Sequence, residues 1–259
     1  MDLPGTWFVN PRTGETCFNE AFVGDATYNE YQLCRTDDLN KLQWACESSP
    51  RDLVEPGPSE FINAAVKPVF RDIESTLVKR IREADVVIGC MAWLTSKPIL
   101  LALAEKDQGV QIVVQQEDWL RPDSTDWTMK EQRRLYRQLR PIFSGFSELS
   151  WGWGGYIQPI RLSGAPKNDK RNNPRMHHKF LIFCHDEEGC ELTPKSVWTG
   201  SFNATKNGSN SLENGLLIDS PEIAAIYKQE WRQVLMTSKR IGSRDWNRKY
   251  QDEYLRDGT

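Results

Sequence analysis

Asp85-Val86-Val87-Ile88-Gly89-Cys90-Met91-Ala92-Trp93 is a short, nearly continuous apolar run. It is too short for a typical helix, so it predicts a buried strand. Ser96-Lys97-Pro98 follows, an N-cap with proline in the first turn. The helix it opens carries Ile99, Leu100, Leu103 and Ala104 and ends at Gly109; Val110-Gln111-Ile112-Val113-Val114 is the next strand. Strand, helix and strand with short connections predict a parallel βαβ unit.

Working outward, Val69, Phe70, Ile73, Leu77 and Ile81 fall on one helical face between Pro68 and Arg82. Downstream, residues 117–128 read as a loop and 129–140 as a charged helix with Met129, Leu135 and Leu139 inside. Phe180–Phe183, Ser196–Gly200 and Asn214–Ile218 read as strands. Pro221–Leu235 reads as a closing helix, with Ile223, Ile226, Tyr227, Val234 and Leu235 at helical spacing. The expected fold is α/β: a mixed, largely parallel sheet flanked by helices on both faces. No internal repeat is visible. Trp93, Trp198 and Trp231 are expected in the core.

Residues 1–60 hold 4 Lys/Arg against 11 Asp/Glu, and no period persists in them. They are expected to form an acidic N-terminal appendage, ended by the linker around Pro56, Gly57 and Pro58. A catalytic domain is expected over 61–235 and a polar tail over 236–259. The body beyond residue 60 has a small excess of positive charge. No run approaches the roughly 20 apolar residues that span a bilayer, so no stable membrane insertion is expected. Met1–Gly5 lacks the basic and apolar regions of a signal peptide. The six cysteines are scattered. They suggest free thiols in a reducing, cytoplasmic setting.

The three histidines all lie within 177–185. His177 and Lys179 stand two apart at the start of an apolar strand, so both side chains share one face of the sheet. Burying them side by side would be costly, whereas a strand end can open them into a cleft. In Thr199-Gly200-Ser201-Phe202-Asn203, Ser201 and Asn203 again alternate onto one face, and Glu213 precedes the last strand. Imidazole, ammonium, hydroxyl, amide and carboxylate thus come from the ends of three strands.

This set resembles the phospholipase D superfamily. His177-His178-Lys179 matches its His-x-Lys, Gly200-Ser201-Phe202-Asn203 its Gly-Ser-x-Asn, and Glu213 its following acidic residue. The resemblance covers about 65–235 as one family repeat, including the βαβ unit. It departs at Cys184, where the family usually has Asp; Asp186 comes two residues later, on an expected turn. The resemblance implies a phosphodiesterase that needs no metal or other cofactor.

In that reading neutral His177 attacks phosphorus, forming a phosphohistidine. Lys179 and Asn203 bind the non-bridging oxygens. Glu213 holds the imidazole tautomer, and Ser201 positions a phosphate oxygen or its neighbours. A second histidine must protonate the leaving oxygen. One repeat per chain therefore implies a homodimer with two His177 side chains in one site, and His178 is expected on the opposite face. Cys184, His185 and Cys190 match no zinc spacing.

From Arg161 to Lys179 there are six basic residues against Asp169. Arg161, Lys167, Lys170, Arg171 and Arg175 are candidates for tracking a phosphate backbone. Trp151 and Trp153 are candidate base-stacking residues, with loop anchoring the alternative. These features favour DNA or RNA as substrate. A lipid phosphodiesterase and a catalytically silent nucleic-acid-binding module are the alternatives. A role in host defence, with residues 1–60 as a protein-binding flank, is a further reading by family analogy.

Overall fold

The computed structural model describes residues 7–9, 16–18, 43–44, 51–52, 65–121, 124–142, 158–165, 175–187 and 191–241. The chain divides into two compact units. One comprises Met1–Glu55 with Asn210–Leu212, the other Pro56–Ser209 with Glu213–Thr259. In the first, β1 (Trp7–Val9) pairs antiparallel with β2 (Thr16–Phe18), and β3 (Gln43–Trp44) with β4 (Arg51–Asp52).

The larger unit is built on one sheet. Its elements are β5 (Val66–Val69), α1 (Ile73–Glu83), β6 (Val86–Met91), α2 (Lys97–Ala104), β7 (Val110–Gln115), α3 (Lys130–Tyr136), β8 (Ile160–Ser163), β9 (Lys179–Glu187), β10 (Glu191–Gly200), α4 (Lys206–Ser209), β11 (Gly215–Ile218), α5 (Pro221–Thr237) and β12 (Lys239–Arg240). Eight strands lie in the order β12-β8-β7-β6-β9-β10-β11-β5.

The sheet is mixed, as expected, but its parallel part is narrower. Only the β6–β7 and β7–β8 pairs are parallel; the other five are antiparallel. The reason is that β9 and β10 are sequential and form one long hairpin, which needs no crossover. Asp186 lies within β9, opposite Leu192, and not on a turn.

Strand alternation sorts the core into two layers. On β6, Val87 and Met91 face one cluster, together with Leu77, Ile81, Ile99 and Trp198. Val86, Ile88 and Cys90 face the other, with Phe180, Ile182 and Trp231. Helices α1 and α2 cover the first layer and α5 the second, so helices do flank both faces. Trp198 and Trp231 are both fully buried, as expected.

Three boundaries differ from the sequence reading. The first helix starts at Ile73, not Pro68, because Val66–Val69 pairs with β11 as an edge strand and Asp72 then adopts a left-handed conformation. Proline is tolerated on such an edge. The helix expected over 129–140 is confined to Lys130–Tyr136. The tail expected from residue 236 begins with the end of α5 and then a strand, since Lys239–Arg240 pairs with β8. The Ser96 cap stands as read: its Oγ accepts from the Ile99 amide at 3.3 Å.

Candidate active site

The ends of β6, β7, β8 and β10 and the starts of β9 and β11 meet at one edge of the sheet. The chain enters β9 there through Arg175–His178. Backbone bonds link it through Ala92 to β7. Ala92 donates to the His178 carbonyl at 2.9 Å, and the Gln115 amide donates to Ala92 at 3.0 Å.

Gln115, buried in β7, does more with its side chain. Its Nε2 donates to the carbonyls of Gln116 (2.9 Å) and Ala165 (2.7 Å), and its Oε1 accepts from the Met176 amide (2.8 Å). One amide thus ties down both flanks of segment 166–174. Gly164, with φ +76°, lets this happen, because a Cβ there would stand 2.3 Å from Gln115 Oε1. Sequence reading missed Gln115. Its only signal is a polar residue ending a run of β-branched ones.

His177 is exposed, and Lys179 is buried. Lys179 Nζ stands 3.2 Å from both ring nitrogens of His177 and donates to its carbonyl at 3.1 Å. Partial burial, then Lys179, Arg175 and His178, hold the His177 pKa below its ordinary value. Burial likewise lowers the Lys179 pKa, against the opposing pull of Glu213.

The Gly200–Asn203 turn faces the same edge. A Cβ on Gly200 would lie 2.2 Å from the Asn214 carbonyl, so glycine allows β10 and β11 to close up there. Ser201 donates its amide to the Asn214 carbonyl at 3.0 Å, and its Oγ donates to Glu213 and accepts from the Asn214 amide. Asn203 Oδ1 is buried with no hydrogen-bond partner among the described residues. That is a costly state for an acceptor unless a ligand or water completes it.

Glu213 differs from expectation. Within one chain it accepts from Ser201 and makes no hydrogen bond to His177 among the described residues. His178 lies on the opposite face, as expected: it stands 3.2 Å from Glu230 of α5 and packs against Phe180.

Trp93 was expected in the core but lies half-buried at the site. Its ring meets His177 edge-on, with centroids 5.3 Å apart, and its Nε1 donates to Glu117 at 2.9 Å. It follows the last residue of β6 and has left the layered interior.

Arg161 also needs correction. It is buried in β8, where Nε donates to Ser238 Oγ and Nη2 to the Ser238 carbonyl, each at 2.6 Å. Burial, with Arg240 nearby, lowers its pKa to about 10. It joins α5 to the sheet rather than facing a ligand. Arg175 is exposed beside His177, and both line an open groove of about 590 Å³ with Ser163, Gly164, Met176 and Val234. Trp151, Trp153, Lys167, Lys170, Arg171 and Cys190 lie outside the described residues.

Cys184 is fully buried in the apolar layer under α5. His185 points away from it, with Nδ1 2.9 Å from Asp85 Oδ2. Among the described residues no group of three His, Cys, Asp or Glu is placed to hold a metal ion. No helix among them is long and apolar enough to cross a membrane.

A family model described as "Cardiolipin synthase, PLD-like domain" matches residues 77–235. An uncharacterized protein of Acanthamoeba polyphaga mimivirus is 32% identical over 197 residues, covering 70% of this chain and 69% of that protein. Among solved structures, NucT from Helicobacter pylori aligns with a TM-score of 0.45 at 17% identity, covering 67% of this chain and 97% of its own. Nuc from Salmonella typhimurium, described as a phospholipase D family member, aligns with a TM-score of 0.44 at 17% identity, covering 69% and 98%. The matched family segment contains the βαβ unit, His177, Lys179, the Gly200–Asn203 turn and Glu213, and the chain belongs to the phospholipase D-like family.

Proposed function

We propose that this chain is a metal-independent phosphodiesterase that cleaves nucleic acid through a covalent phosphohistidine at His177. One observation carries the reading: an exposed imidazole whose ring nitrogens face an ammonium at 3.2 Å. Partial burial first, and then that cation, hold the His177 pKa below its ordinary value and so favour the neutral ring, and a neutral nucleophile approaches an anionic phosphodiester without charge repulsion.

In the first step a His177 ring nitrogen attacks phosphorus, and the bond to the leaving oxygen breaks. Lys179 moves from the ring to a non-bridging oxygen, where its charge is needed. Asn203 and Ser201 frame the same phosphate, and Glu213 fixes the Ser201 hydroxyl. The leaving oxygen needs a proton, and His178 faces α5 instead. His177 of the partner subunit in a homodimer supplies it. That imidazole then takes a proton from water, which attacks phosphorus and releases His177.

Nucleic acid is the favoured substrate because exposed Arg175 stands at the site and Lys167, Lys170 and Arg171 precede it in sequence. The test is a panel of DNA, RNA and phospholipids in excess EDTA, with wild type beside His177→Ala. Expected are metal-free cleavage of nucleic acid by wild type only, an acid-labile phosphoryl adduct by intact mass, and a dimer by light scattering. Strict dependence on divalent metal, an active monomer, or cleavage of phospholipid alone would each overturn the corresponding part.

A further inference from the structure

We propose that Trp93 and Arg175 form a stacking subsite for a nucleobase next to the scissile phosphate. The proposal rests on the nuclease reading and assigns a recognition element to it.

Trp93 is held unusually firmly for a half-buried aromatic. The backbone before it is fixed by the two hydrogen bonds of Ala92 to His178 and Gln115. Behind it, the Leu94 carbonyl accepts from the buried Tyr136 hydroxyl at 2.7 Å, and Leu94 bridges to Ala204. The indole Nε1 is anchored on Glu117. A ring fixed on three sides loses little conformational entropy when it binds a partner.

The position of the ring decides what it can bind. It meets His177 edge-on, so a group lying on the indole face sits within one residue's reach of the attacking nitrogen. Lys179 Nζ and Arg175 Cζ each stand 6.0 Å from the ring centroid. That is about the outer limit of cation–π contact, roughly 6 Å, so neither cation caps the ring tightly. Arg175 is exposed and can close over a stacked base or hold the adjoining phosphate. Indole and guanidinium beside a phosphate-binding lysine suit a flat ring joined to an anion. A fatty acyl chain would meet three cationic or titratable side chains there in place of apolar walls.

The test uses single-stranded oligonucleotides in which one phosphodiester is cleavable and all other linkages are methylphosphonates. The base is present or removed on the 5′ or the 3′ side of the cleavable linkage. For wild type, removing the base on one side should raise KM by roughly 5- to 150-fold, the range expected for one stacked base. In Trp93→Leu the intact and base-less substrates should converge. Trp93→Phe should largely restore the difference, and Arg175→Gln should reduce it. A residue that only supported His177 would slow both substrates equally and leave the ratio unchanged. Circular dichroism and a melting curve identify any variant that fails to fold. The exposed Arg175→Gln variant still tests the subsite in that case. Cleavage with KM insensitive to base removal on both sides would overturn the subsite and leave the nuclease reading standing. No cleavage of any oligonucleotide would overturn both.

Discussion

The two ends of the sheet carry the same pair of residue types and use them in opposite ways. At one end Lys106, mostly buried, donates to the carbonyls of Arg82 (2.9 Å) and Ala84 (2.7 Å), and His185 meets Asp85 at 2.9 Å. At the other end Lys179 stands against the ring of His177 itself. Burial lowers the pKa of both lysines, so a perturbed lysine does not mark the site. The partners do. A lysine on backbone carbonyls closes a helix end, and a histidine on a carboxylate is an ion pair once protonated. A lysine against an imidazole sets an ammonium donor beside a ring nitrogen that can accept, the pairing that a phosphate-handling site would use.

Exchanging the histidines gives the largest expected contrast. His177→Ala should lower turnover by at least roughly 10³-fold, whereas His185→Ala should leave turnover intact. Equal losses would erase the distinction between the ends.

The lysines should differ next. Lys179→Met should cost roughly 10²- to 10³-fold in kcat. It should also move the pH profile. The attacking His177 must be neutral and its pKa is held below its ordinary value, so the acid limb of kcat/KM in wild type should lie below the usual histidine value, near 6.5, while the protonated imidazole required on the partner subunit adds a second limb at higher pH. Without the Lys179 charge the acid limb should move to higher pH. Lys106→Met should instead lower stability by about 1–3 kcal/mol, measured by chemical denaturation, and spare kcat.

Gly200→Ala should cost about 1–3 kcal/mol, because its Cβ would overlap the Asn214 carbonyl and something must shift. The shift falls on Ser201, so kcat should drop as well.

The smallest contrast lies within β7. Gln115, at the site end, has its amide satisfied, while Gln111, toward the other end and on the same strand face, is buried with neither amide atom partnered among the described residues. Gln115→Leu should destabilise by about 1–3 kcal/mol by leaving the Met176 amide unpaired. Gln111→Leu should be neutral or stabilising by up to about 1 kcal/mol. A stabilised Gln115→Leu variant would break the assignment of Gln115 as a tether.

Much of this could be read from sequence, and the reasons are local. Period-two alternation placed His177 with Lys179 and turned His178 away. The Ser96 cap and apolar spacing located α2 between its two strands. What failed depends on distant partners. Arg161 looked like its basic neighbours, and only the pairing of β8 with β12 brings Ser238 against its guanidinium. Trp93 looked like the end of an apolar strand, yet β6 stops at Met91, two residues short of it. Glu213 meets Ser201 because β10 and β11 pair in a register that no local period reveals. The parallel content was overestimated because a hairpin strand and a crossover strand share the same apolar signature.

The amide of Gln115 has a consequence for how such a protein can change. It clasps Ala165 and Met176 through one side chain of β7. β7 thus supplies the frame at both of these points. We expect this clasp to hold His177 in place when the sequence between those two points is altered. A nicked chain should stay assembled, and new termini could be opened there. Substrate range would then be free to drift in one stretch of chain while the chemistry stays anchored in another.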